Sequence, residues 1–78
     1  MVNKIFRIGE YAIGGLIYAR INKSDVTIAC KDWDTKKIIY EYTSNERQSL
    51  ENTLLEWTSS YHADKVMEYI TANAEGIL

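Results

Sequence analysis

Ile38-Ile39-Tyr40-Glu41-Tyr42-Thr43-Ser44-Asn45-Glu46-Arg47-Gln48-Ser49-Leu50-Glu51-Asn52-Thr53-Leu54-Leu55-Glu56-Trp57 is the stretch in which the chain changes its hydrophobic period. Up to Thr43 the apolar residues alternate or sit in short β-branched and aromatic runs, the period of a strand. After Ser44 they recur as Leu50, Leu54 and Trp57, the i, i+4, i+7 spacing of one helix face. Thr43 with Glu46 three positions on has the form of a capping box at the junction. Everything upstream is therefore read as strand and everything downstream as helix.

Working back from the junction, Ile38 to Tyr42 is the fourth strand. Its inward set is expected to be Ile38, Tyr40 and Tyr42, because an unpaired Glu41 carboxylate is costly to bury. Asp34-Thr35-Lys36 reads as the turn before it. A third strand places Val26, Ile28 and Cys30 inward and Thr27, Ala29 and Lys31 outward, after a turn at Asn22-Lys23-Ser24-Asp25 whose side chains bond their own backbone. Glu10 to Ile21 is a long second strand with Gly14-Gly15 in its middle, where glycine marks a bulge or bend. Ile13, Gly15, Ile17, Ala19 and Ile21 share its core face, and Leu16, Tyr18 and Arg20 the other. Val2 to Ile8 is the first strand.

Working forward, Thr58-Ser59-Ser60 stops the first helix and caps a second, whose stripe is Ala63, Val66, Met67, Ile70 and Ala74, with Gly76 ending it. Two helical stripes and one sheet face all need burial. The expected architecture is thus α+β, a four-stranded antiparallel meander covered on one face by two antiparallel C-terminal helices. At 78 residues, residues 1–78 form a single domain with one core, and no internal repeat, linker or low-complexity segment breaks it.

Composition narrows the class of function. An apolar fraction of 46 % and a charged fraction of 26 % are those of an ordinary globular chain. One cysteine, Cys30, excludes an internal disulfide and favours a reducing compartment, the cytoplasm. Neither a signal peptide nor a membrane anchor is expected, since the charged start is followed by no long apolar stretch. A net charge of −2 with scattered Lys and Arg gives no footprint for phosphate backbones, so direct nucleic-acid binding is not expected.

Each reactive residue type has a plainer explanation than catalysis. Cys30 lies in the inward series of an apolar strand, where it acts as a small hydrophobe, and His62 falls in the first turn of a helix. Ser59, Ser60, His62 and Asp64 are too close in sequence to assemble as a triad and read as caps, with Asp64 complementing the helix dipole. Asp32-Trp33-Asp34 lacks the further ligands a metal needs. Gly9 to Gly15 lacks the GKS/T ending of a phosphate loop and opens onto no helix. No catalytic residue, cofactor or metal site is expected, and the chain is read as a non-enzyme. What remains is an outward set of aromatic and charged side chains suited to a protein interface: Tyr18, Arg20, Lys31, Trp33 and Glu41, with Asp32 beside Trp33.

The first strand at Val2 to Ile8, the tyrosines Tyr11 and Tyr18 in the second, and the helix start Thr43-Ser44-Asn45-Glu46-Arg47-Gln48-Ser49-Leu50-Glu51 together give an order that resembles the small phage anti-CRISPR proteins inhibiting type I-F surveillance complexes. The resemblance implies a steric inhibitor of phage or mobile-element origin, working in the host cytoplasm. Its sheet face would occupy the basic spine along which a crRNA-guided Cas complex takes up DNA, with Tyr18, Trp33, Asp32 and Glu41 as counterparts by character. The alternative is a cytoplasmic interaction or regulatory module, as a monomer or as a homodimer formed through the open sheet face. A mimic of DNA is disfavoured because Glu46, Glu51 and Glu56 step about 140° apart around an ideal helix and form no stripe.

Overall fold

The computed structural model describes the backbone of residues 4–12 and 14–78 and the side chains from residue 14 onward. The elements follow as β1 (Lys4–Ala12), β2 (Gly15–Ile21), β3 (Val26–Asp32), β4 (Ile38–Ser44), α1 (Arg47–Trp57) and α2 (Ser60–Asn73). Strands lie in the order β1-β2-β3-β4, each antiparallel to the next. The part of the sheet described with its side chains is three-stranded, β2 to β4, against the four expected; β1 enters through its backbone pairing with β2. The α+β class, an antiparallel sheet followed by two helices, is as the sequence indicates.

The first hairpin departs from expectation. Instead of one strand running from Glu10 to Ile21, the chain turns back at Gly14, whose φ of +90° is the left-handed conformation that glycine adopts freely. β1 accordingly extends to Ala12 rather than ending at Ile8, while Val2 and Ile13 lie outside the described residues. Gly15 then opens β2, and a Cβ there would overlap the Lys31 carbonyl group. The expected irregularity falls one strand earlier: the β1–β2 register shifts between Arg7 and Tyr11, around Gly9.

One face of the sheet is core. Ile17, Ala19, Ile21, Val26, Ile28 and Cys30 cluster with Leu50, Leu54 and Trp57 of α1 and with Ala63, Val66, Met67 and Ile70 of α2. α1 packs over β4, α2 packs over β1 and β2, and the two helices pack on each other. Both helical stripes are buried where their spacing puts them, because a side chain that leaves water stabilises the fold by about 1.5–3 kcal/mol.

Two local expectations fail. Ile38 does not face the core: the β3–β4 register shifts so that Tyr40 stands opposite Cys30 and Ile38 opposite Lys31. That extra residue reverses the alternation, putting Ile38 on the same side as Glu41, while Tyr40 stays inward and stacks on Trp57 with ring centroids 5.6 Å apart. The capping box is also absent. Thr43 is still in the strand, where its hydroxyl lies 2.8 Å from that of Thr27, and α1 starts with Glu46 as an N-cap that makes no side-chain cap bond. Instead the Glu46 N–H donates to Ser44 Oγ at 3.0 Å, and the Ser49 hydroxyl donates to Glu46 Oε1 at 3.1 Å.

Candidate functional site

The site is built from the strand register. Residues directly opposite in an antiparallel pair share a face, so the open side of β2, β3 and β4 carries three rows. Leu16, Lys31 and Ile38 form the first; Tyr18, Ala29 and Glu41 the second; Arg20, Thr27 and Thr43 the third. Alanine, the smallest side chain of the nine, occupies the centre. Around it lies a shallow, mostly apolar hollow of about 80 Å³, bordered by Tyr18, Arg20, Lys31, Ile38 and Glu41. Small-molecule pockets run to about 300–1,000 Å³, so this hollow has the size for part of one side chain.

Hydrogen bonds stiffen its rim. Arg20 Nε donates to Asn22 Oδ1 at 3.0 Å, and Asn22 Nδ2 donates to Thr27 Oγ1 at 3.0 Å and to Asp25 Oδ1 at 2.6 Å. Thr27, buried in spite of being polar, bonds Thr43 across the strands. The Lys31 ammonium stands 4.5 Å from the centre of the Tyr18 ring, a cation–π contact that holds both side chains over the sheet. Two apolar residues of this face, Leu16 and Ala29, are buried yet stand outside the core cluster.

Of the interface residues read from the sequence, Tyr18, Arg20 and Glu41 come together at the hollow, whereas Asp32 and Trp33 do not border it. Asp32 is occupied in the β3–β4 turn, its carboxylate accepting the N–H groups of Asp34 and Thr35 at 2.9 and 3.0 Å. Those two backbone bonds, Thr35 first, hold its carboxyl below the usual carboxylate range. Trp33 is exposed in the same turn, where its carbonyl accepts from Lys36 Nζ at 2.9 Å. Ala29 and Ile38 also line the hollow, and neither stands out from the sequence as a site residue. Outward alternation did mark Ala29, but an alanine becomes informative only when its cross-strand neighbours are known.

The reactive residue types are placed as follows. Cys30 is fully buried, and burial, helped by the charge of Asp32, pushes its thiol up, which suppresses the thiolate a nucleophile requires. His62 lies edge-on to Tyr61 in α2, with centroids 5.2 Å apart. Among the described residues no group of three or more His, Cys, Asp or Glu could hold a metal ion. Nor is any described helix long and apolar enough to cross a membrane.

Charge is divided between the layers. Residues 1–44 hold seven Lys and Arg against five Asp and Glu, and residues 45–78 hold two against six. The helical layer is thus acidic and the strand layer mildly basic. No family model, no curated protein and no solved structure matches this chain. The class that fold and site define is an α+β domain with one sheet face under helices and the other open around a small hollow.

Proposed function

We propose that the chain works without catalysis, by binding a partner protein on the open face of its sheet. The observation that carries this reading is the row Tyr18, Ala29 and Glu41, which opens an apolar hollow on a face outside the core. Aromatic and Arg side chains around a small pocket are what interface centres are made of, and the buried Cys30 thiol suits a reducing compartment such as the cytoplasm. The specific form implied by the resemblance is a steric inhibitor of a type I Cas surveillance complex. Among the described residues Arg20 and Lys31 outnumber Glu41 on the open side of β2 to β4, so a basic DNA-binding spine would be met more favourably by the acidic helices.

The test is capture of a type I-F or type I-E complex by the tagged chain from bacterial lysate, with Ala29→Leu and Glu51→Lys/Glu56→Lys as paired variants. Loss with Ala29→Leu assigns the sheet face, and loss with the double charge reversal assigns the helices. If neither complex is retained, the inhibitor form is wrong. A second reading, a homodimer, is favoured by the exposure of Ile38, Ile39, Tyr40 and Tyr42 along β4, which lies at an edge of the sheet. A strict monomer by light scattering at high concentration would remove it.

A further inference from the structure

The hollow over Ala29 is about 80 Å³ and mostly apolar, which fits the branched end of a Val or Leu side chain and excludes an indole. Its borders put Arg20 and Lys31 on the same face. Both cations are held in place, Arg20 by Asn22 and Lys31 by the Tyr18 ring, so little side-chain entropy remains to be lost on binding. Glu41, on β4 opposite Ala29, makes the face unfavourable for a continuous run of phosphates. The excess of cations favours carboxylates placed singly, next to an apolar anchor.

We infer that the open face binds an extended, acidic segment of a partner protein, seating one aliphatic side chain over Ala29 and meeting flanking carboxylates with Arg20 and Lys31. This rests on the protein-binding reading and specifies its partner. Aliphatic burial supplies the affinity and the two cations the selection: acidic segments are drawn in and basic ones repelled.

The experiment follows backbone amide spectra of the full-length, isotopically labelled chain during titration with three blocked peptides. These are Ac-Gly-Asp-Val-Asp-Gly-NH2, its Asp-Gly-Asp counterpart without the valine, and its Lys-Val-Lys counterpart, alongside a single-stranded oligothymidylate. The expected result is a set of shifts centred on Tyr18, Ala29, Lys31 and Ile38 with the first peptide. Removing the valine weakens binding about tenfold, and added salt weakens it further. Ala29→Leu, which fills the hollow from within, abolishes the shifts; Lys31→Glu, a change at a half-buried rim position, reverses the preference toward the basic peptide and covers the case in which Ala29→Leu fails to fold. Equal response to the basic peptide, shifts centred on the helices, or preferential binding of the oligonucleotide each overturns the inference. If Ala29→Leu and Lys31→Glu still retain a partner protein captured by the wild type, the protein-binding reading survives and this inference alone fails. No peptide response together with no captured partner ends both.

Discussion

Ile28 and Ala29 are neighbours in β3, and the contrast between them is the contrast between the two faces of the sheet. Ile28 has no exposed surface and belongs to the core cluster. Ala29 is also buried, yet it stands outside that cluster, at the bottom of a hollow between Tyr18 and Glu41. Burial alone therefore does not distinguish the two faces. The core face is filled by large apolar groups interlocked with two helices, and a gap there loses contacts outright. On the open face a small residue is surrounded by larger ones, and its smallness creates the hollow. One side of the strand resists any loss of volume; the other should tolerate a gain of volume at the expense of binding.

The sharpest way to break that comparison is to change volume on each side of β3. Ile28→Ala should cost about 3 kcal/mol, a large share of the few kcal/mol a domain of this size holds, and should leave the chain largely unfolded by circular dichroism. Ala29→Leu, one residue away, should change stability by no more than about 1 kcal/mol in a denaturant titration. Comparable losses from both would show that the open face is packed like a core.

Gly15→Ala tests the edge of the core face, where a Cβ would overlap the Lys31 carbonyl. A shift of the β2–β3 pairing to relieve it should cost about 2 kcal/mol, seen as a lower denaturation midpoint and faster amide exchange in β2 and β3. Thr27→Val tests the open face's own support. It keeps the shape but removes the hydroxyl shared by Thr43 and Asn22, and should cost about 1 kcal/mol in the same titration. An unchanged midpoint would mean that the polar network contributes nothing to the hollow.

The smallest effect lies in the β3–β4 turn, outside both faces. Two backbone N–H groups hold the Asp32 carboxyl below its usual range in the folded state. Its stabilising contribution is therefore complete above the unfolded-state value, and it is lost as pH falls below about 4 through the folded value. Asp32→Asn should lower the thermal midpoint slightly near neutral pH and flatten its decline between about pH 5 and about pH 2, so that the two chains converge in acid. An equally steep decline in the variant would show that other carboxylates set the acid limit.

Much of this was legible in advance because it depends on local period. The switch from alternation to three- and four-residue spacing after Ser44 located both helices, and Leu50, Leu54, Trp57, Ala63, Val66, Met67 and Ile70 are all buried. The same alternation put Tyr18, Arg20, Thr27, Ala29 and Lys31 on the outer face, and Asn22 to Asp25 and Asp34 to Lys36 in turns. It misled wherever the period was broken by one residue. The alternation runs through Gly14 and Gly15 as if inside a strand, whereas Gly14 forms a turn, and a single extra residue in β4 turns Ile38 to the open side.

By itself, then, the sequence determined the element types, the face of each helix, the inward residues of β2 and β3, and an outward set with the chemistry of an interface. These follow from each residue's position within its own element, where a side chain's direction is set by backbone geometry. Only the tertiary structure decided which outward residues meet. Tyr18, Ala29 and Glu41 come from three strands, and their row exists because two registers align them. Asp32 and Trp33 looked equally suitable but fell in a turn away from it. Register is a long-range property, fixed by the packing of one whole face and by the turns between strands, and no local pattern in the chain records it.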